Sequence, residues 1–546
     1  MTQHITDGNG ARYTLGPRLG SGGQGDVFQL KEGRLAVKLV RRDGRTDAEI
    51  LRRRLERVKR LDLDGLPLAR PLTVLRLPNL GYIMELLPGT RSLGTLIRPS
   101  SPMKSIAAWY GETGGLRGRL RVLAALARVM NQLHGRGVAY GDLSPDNVRV
   151  NGDPAGEFSL HLIDCDNLRV ESSPDPAWLF TPGYAAPELL AARSGANTLS
   201  DLHAFAVVAF ECLTCIHPFV GDVVADGEPE LEERAFAGKL PWVEDAADRS
   251  NATTRGVPRN RVISEKTRQL FDRAFGSGRA DPGLRSRFAE WVDVLEQAAD
   301  MALHCANANC RASYFLEQLP ATCPWCDEPV PHHLTMSFLL WDPSQEDTLR
   351  FGKLVQDPGR RLPKIIGSMR LTSGLPVNLE RRHLGPVFGS AVEAAEPLVS
   401  LRYEHAKAGK LEGTEVACNL VWLPNRRTGI AATSGDSHGC DVPGRISRNG
   451  RTILPRDEMR ARGRRCALLG LDVIKMEIGD WLVHFRGHNL EPLVRAIGNR
   501  TLVFVRAQPE LSGRAGLVPM RMRALQPLPS VVVMSKRDLQ DIGYSC

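Results

Sequence analysis

Asp142 and Asn147 lie five residues apart in the stretch VAYGDLSPDNV (138–148), and Asp164 follows in HLIDCD (161–166). Phosphoryl transfer needs a carboxylate to receive or orient the attacking hydroxyl, and oxygen ligands for magnesium. Asp142 suits the first task; Asn147 and Asp164 suit the second. Upstream, Gly20-Ser21-Gly22-Gly23-Gln24-Gly25-Asp26-Val27 fits G-x-G-x-x-G-x-V. Glycines there let the backbone lie close over phosphates and aim N–H groups at them. Lys38, thirteen residues past Gly25 in the apolar run Ala36-Val37-Lys38, is a cation placed to hold the α- and β-phosphates of ATP. Taken singly, each residue has a blander reading: an aspartate caps a turn, a strand lysine snorkels at an edge, glycines make a hairpin. Their order along one chain favours a joint site.

A second cluster is metal-like. Cys305-x4-Cys310 and Cys323-Pro324-Trp325-Cys326 are separated by twelve residues. Two close cysteine pairs on turns present four thiolates to a structural Zn2+. A redox pair is the rival, but no βαβ pattern surrounds the motif. His304 adjoins the first cysteine, yet four thiols already suffice.

These residues need elements to position them. Residues 12–40 read as short strands around the glycine turn. Residues 47–61 read as a helix, with apolar side chains at 50, 51, 55, 58 and 61. On that helix Glu56, in preference to Glu49, is the expected carboxylate for Lys38. PLTVLRL and LGYIMELL read as further strands; Met84 would guard the adenine pocket, and the backbone from Glu85 to Leu87 would meet the adenine edge. With Val27 and Ala36, these complete the expected nucleotide site. From residue 119 the pattern turns helical, through LRVLAALARVMNQLH, SDLHAFAVVAFECL, EKTRQLFDRAF and RFAEWVDVLEQAADMAL. A β-lobe followed by an α-lobe implies a cleft between them. Beyond 336, short β-rich runs follow (MSFLLW, VACNLVWL, WLVHF, TLVFVRA, PSVVVM).

Residues 12–300 resemble the eukaryotic-type (Hanks-type) protein kinases. Asp142 and Asn147 match the family's HRDxxxxN loop, Asp164 the aspartate of DFG, and TPGYAAPE (181–188) the segment that closes the activation loop. The resemblance implies that Asp201 braces the catalytic loop and that Arg285 pairs with Glu188. It also implies that Lys38, Asp142, Asn147 and Asp164 are catalytic, with Mg2+ on Asn147 and Asp164. The departures are Tyr140-Gly141 for His-Arg, Ser144 for the usual lysine, and Cys165-Asp166 for Phe-Gly. They remove the arginine that would receive an activation-loop phosphate and make a weakly active, ATP-binding scaffold the alternative. Together with the ribbon ending in CPWC, residues 12–330 are similar to a bacterial subgroup of these kinases. That subgroup is encoded beside a von Willebrand factor A protein and a metal-dependent Ser/Thr phosphatase, in stress-response systems. The resemblance implies those two proteins as partners, besides a protein substrate carrying Ser/Thr hydroxyls.

The expected architecture is α+β. A bilobal kinase-like domain spans 1–300 (N-lobe about 12–90, C-lobe about 91–300), a zinc ribbon 301–333, and a basic β-rich domain 334–546. The length of 546 residues suits several domains. No apolar run reaches the ~18–20 residues that cross a bilayer, and MTQHITDGNG lacks the form of a secretory signal. Eleven cysteines, an odd number, fit a reducing compartment. A cytoplasmic protein without a membrane role is expected. Residues 334–546 hold 31 Lys and Arg against 21 Asp and Glu, whereas 1–333 hold 40 against 41. The net charge of +9 therefore sits in the C-terminal part; arginine outnumbers lysine 59 to 12 over the chain, so an arginine-rich composition accounts for it, and beside that it suits an acidic protein partner and, less well, nucleic acid.

Overall fold

A computed structural model describes residues 3–22, 25–41, 48–99, 105–170, 180–316 and 322–331, and beyond 332 Leu375 and the strands given below. The chain divides into two compact units, Met1–Ala299 and Asp300–Cys546. Gly23 and Gln24 of the glycine loop, and the run PSVVVM, lie outside the described residues.

The first unit opens with β1 (His4–Thr6), β2 (Arg12–Ser21), β3 (Gly25–Leu30), β4 (Leu35–Val40), β5 (Thr73–Val74) and β6 (Gly81–Glu85). They form one antiparallel sheet in the order β1-β2-β3-β4-β6-β5. One face closes over Ile5, Leu30, Val37, Leu75 and Ile83. The other packs Ala36, Val74, Tyr82 and Met84 against α1 (Ala48–Lys59) through Leu51 and Leu55. Alternate residues of β4 thus serve opposite cores, as the strand period of two dictates. On α1 the buried positions are Leu51, Arg54, Leu55 and Val58, one helical stripe. Ile50, expected on that stripe, is exposed, and Arg54 takes its place.

Helices dominate the remainder of the unit. After β7 (Arg91–Ser92), α2 (Ile106–Glu112) and α3 (Gly115–Gly135) lead to β8 (Val138–Ala139). The strands β9 (Val148–Gly152) and β10 (Phe158–Leu162) pair antiparallel, and β11 (Arg169–Val170) returns to pair with β8. These short pairs hold the two ends of the loops carrying Asp142, Asn147 and Asp164. The short α4 (Pro187–Leu190) precedes α5 (Thr198–Thr214), every residue of which is buried except Leu199. A helix buried on all sides belongs at the centre of a domain. Its start is fixed by a capping box between Asn197 and Ser200. The helix Phe288–Met301 packs Trp291 edge-on against Phe205 of α5.

In the second unit, Leu303–His304 pairs with Ser313–Tyr314 around the paired cysteines. Next comes an eight-stranded sheet in the order Lys364–Thr372, His333–Trp341, Leu502–Glu510, Leu493–Ala496, Trp481–Arg486, Val473–Ile478, Ile446–Arg448, Arg451–Ile453. A four-stranded sheet joins Pro376–Glu380, Pro397–His405, Cys418–Leu423 and Cys466–Ala467, and a two-stranded one joins Leu349–Arg350 to Lys353–Leu354.

Candidate active site

Lys38 sits mid-strand on β4, paired in register with Val27 on β3 and Tyr82 on β6. Its side chain is only 3% exposed, and its Nζ lies 3.1 Å from Asp164 Oδ1 and 3.2 Å from Asp166 Oδ2. Burial pulls the ammonium pKa down, but the charges of Asp166 and Asp164 outweigh it and hold it above its ordinary value. The expected partner on α1 is not used. The Glu56 side chain is half-buried and forms no ion pair with Lys38, and the alternative, Glu49, is exposed and pairs with Arg53. The reason is the rotation of α1: the stripe facing inward carries Arg54, whose Nη2 donates to Asn167 Oδ1 at 3.1 Å.

The glycine loop is a hairpin between β2 and β3. A Cβ at Gly25 would stand 2.2 Å from the Leu39 carbonyl oxygen, so the close approach of β3 to β4 requires glycine there. Arg41 ties the loop base by donating to Ser21 Oγ at 2.6 Å and Asp26 Oδ1 at 2.9 Å. Gly20, Ser21 and Gly22 are exposed. Below them Ala36 and Met84 face one another across β4 and β6, and Val27 and Leu87 pack on the same cluster. Together they form a continuous apolar wall. Glu85, paired with Leu35, ends β6 at its rim, exposed.

The loop after β8 is held from beneath. Asp201, on the first turn of α5, accepts hydrogen bonds from the Tyr140 N–H at 2.7 Å and the Gly141 N–H at 2.9 Å, and lies 2.9 Å from His134 Nε2. Gly141 has φ +87°, a left-handed conformation that an arginine would adopt only under strain. The Tyr140 hydroxyl donates to the Ile163 carbonyl, tying this loop to the segment before Asp164. Asp142 Oδ1 accepts two hydrogen bonds from Thr181, from its N–H at 2.8 Å and its hydroxyl at 2.9 Å. Burial pushes the Asp142 carboxyl up; the Thr181 donors oppose it, and Asp164 and Asp166 add to the rise. Asn147 Nδ2 donates to the Asp142 carbonyl at 2.9 Å, which turns the amide and reserves its oxygen as an acceptor. Asp164 has φ +52° and starts the tight turn Cys165–Asn167. Its side chain is 27% exposed, so it reaches the cleft. Burial raises its pKa, the Lys38 charge opposes that, and Asp166 adds to it.

A buried pair lies behind this site. Arg285 grips Glu188 with two hydrogen bonds, at 2.6 and 2.8 Å, and also donates to the carbonyls of Gly278 and Leu199. Such a fork joins the start of α4 to the start of α5.

Residues 13–277 match the family description "Protein kinase domain". Over this segment the chain is similar to protein kinase domains. Among curated proteins, the chain is similar to serine/threonine-protein kinase pkn2 of Myxococcus xanthus, 30% identical over 42% of this chain and 27% of that protein. It is similar to serine/threonine-protein kinase PkaB of Streptomyces coelicolor, 28% identical over 39% of this chain and 51% of that protein. It is also similar to serine/threonine-protein kinase PknB of Mycolicibacterium smegmatis, 26% identical over 40% and 34%. The chain thus spans between about a quarter and a half of the length of these relatives. The curled sheet and helical part described above fit the two lobes of the kinase fold.

Sequence reasoning missed Asp166 as a partner of Lys38, Thr181 as the donor to Asp142, and Arg54 as the inward residue of α1. The second aspartate of IDCD was the available signal for the first. Nothing local marked the other two, which depend on contacts more than thirty residues apart.

In the second unit Cys305, Cys310, Cys323 and Cys326 bring their sulfurs within 4.8 Å of one another. Cys305 and Cys326 Sγ are 3.5 Å apart, Cys310 and Cys323 Sγ 4.0 Å. A tetrahedral zinc with Zn–S of about 2.3 Å would separate its sulfurs by about 3.8 Å, so the donor set fits. Burial raises the Cys305 thiol and brings Cys310 to about 11. At Cys326 burial is outweighed by the Glu328 N–H and the neighbouring thiols, which lower it. Among the described residues no helix is long and apolar enough to cross a membrane.

Proposed function

We propose that the protein is an ATP- and magnesium-dependent kinase that phosphorylates Ser/Thr hydroxyls of protein substrates in bacterial signalling or stress response. The observation that carries this reading is the convergence of Lys38, Asp142, Asn147 and Asp164 within one kinase domain. Lys38 holds the nucleotide phosphates, and the wall of Val27, Ala36, Met84 and Leu87 takes the adenine. Asn147 and Asp164 would hold magnesium, which when bound neutralises charge building on the transferred phosphoryl group. Asp142 orients the acceptor hydroxyl and takes its proton; Thr181 fixes one carboxylate oxygen and leaves Oδ2 for that task.

Four cysteines at tetrahedral spacing support a structural zinc ribbon, and the excess of arginine beyond it supports docking on an acidic protein. The resemblance over residues 12–330 adds a von Willebrand factor A protein and a metal-dependent phosphatase as candidate partners. Incubation with labelled ATP and magnesium, wild type beside Asp164→Ala, tests the enzymatic reading. Label should enter protein with the wild type and not with the variant; equal labelling in both would end the assignment.

A further inference from the structure

The lysine of a phosphate site must be held so that its charge points at the nucleotide, and α1 does not supply the holding group. Of its two carboxylates Glu49 pairs with Arg53, and the charges that act on Lys38 are those of Asp166 and Asp164. The helix instead offers a cation, Arg54, to the same region. The carboxylate that meets Lys38 from within is Asp166, whose Oδ1 and Oδ2 lie 3.3 and 3.2 Å from Nζ. The two aspartates beside Lys38 are not equivalent. Asp164 is 27% exposed at the side chain, whereas Asp166 is 3% exposed, as deeply buried as Lys38 itself.

We propose that Asp166 is the positioning residue that orients Lys38 toward the ATP phosphates, replacing the helix carboxylate. Asp164, whose Oδ1 also lies 3.1 Å from Nζ, is the more exposed of the two and faces the cleft, while the buried Asp166 keeps the ammonium aimed. Both aspartates belong to one unit, since Asp164 caps the tight turn that contains Asp166. That turn is anchored on one side by the Tyr140 hydroxyl to Ile163, and on the other by Arg54 to Asn167. Lysine orientation and metal-ligand placement are then set together. Arg54 is the counterpart of this exchange: with the carboxylate moved into the turn, the helix holds the turn through an arginine–amide bond.

The inference rests on the kinase reading and is tested by nucleotide binding as well as turnover. Full-length wild type, Asp166→Asn, Asp166→Glu and Glu56→Gln are titrated with a fluorescent methylanthraniloyl ATP in magnesium, and kcat and KM for ATP are measured alongside. Loss of one charge-assisted contact predicts a rise in Kd and KM of about tenfold or more for Asp166→Asn. Asp166→Glu should recover part of the loss, and Glu56→Gln should stay within about twofold of wild type. An Asp166→Asn protein that melts earlier but binds ATP as wild type does would overturn the proposal, because the residue would then only stabilise the fold. If Asp166→Asn does not fold, Glu56→Gln decides: wild-type affinity supports the proposal, and a loss matching Lys38→Met overturns it. Wild type that binds no nucleotide would overturn the kinase reading, and this inference with it.

Discussion

The cleft and the cysteine cluster both crowd negative groups into a small space, and they handle the charge differently. In the cleft the chain supplies its own cation: Lys38 lies between Asp164 and Asp166, so the carboxylates are partly compensated before any ligand arrives. In the cysteine cluster the sulfurs lean on one another, and burial holds Cys305 and Cys310 in the protonated form. A metal must displace those protons to bind, and in doing so it creates the charged form that the cluster is shaped to hold. The cleft therefore carries its own countercharge, whereas with zinc on the four thiols the cluster's fold and its metal would be one equilibrium.

Breaking the ribbon should give the largest effect. Structural zinc contributes apparent binding energy of about 10–16 kcal/mol, which in such domains is folding energy. Cys323→Ser with Cys326→Ser should abolish zinc, one per chain in the wild type, and open residues 300–333 to protease. Metal analysis with limited proteolysis checks this; unchanged metal content in the double variant would refute the four-thiol site. Residues 13–277 lie in the other unit and should keep their unfolding midpoint.

The cleft should answer differently, losing chemistry rather than fold. Lys38→Met removes the cation between the two aspartates, and turnover should fall by about a thousandfold or more, some 4 kcal/mol at the barrier. Asp142→Asn should stop turnover to a similar extent yet leave nucleotide affinity nearly intact, because the phosphate and metal contacts survive. Undiminished autophosphorylation in Asp142→Asn would remove Asp142 from the catalytic role.

What the sequence disclosed follows the same division. Local spacing announced the glycine hairpin, the lysine, the loop with Asp142 and Asn147, and the four cysteines, since each motif is closed within a few residues. Asp201 under the catalytic loop and the Arg285–Glu188 fork were legible through family resemblance, and the structure shows both contacts. The partner of Lys38 was not legible. Choosing Glu56 assumed which stripe of α1 faces inward, and a buried arginine at 54 cannot be told from a solvated one by periodicity. Thr181 was read only as part of a motif; that its hydroxyl meets Asp142 depends on how a loop 39 residues away folds back.

The smallest predicted effect tests how that loop tunes the cleft. Burial, the largest influence on Asp142, raises its pKa, and the two Thr181 donors pull it down. The carboxylate must be ionised to accept the substrate proton, so kcat/KM should fall as pH drops through a pKa above the usual aspartate value of ~4. Thr181→Val keeps the N–H donor and removes the hydroxyl, which favoured the charged form. Its loss makes ionisation harder, so the acid limb should move to higher pH. One hydrogen bond to a charged group is worth roughly 1.5–3 kcal/mol, or about one to two pH units at most. Thr181→Ser retains the hydroxyl and should leave the limb in place. Parallel pH–rate profiles of the three proteins measure this directly. A limb that stays fixed in Thr181→Val would assign the titration to another group, leaving Asp142 to orient the hydroxyl without setting the pH dependence.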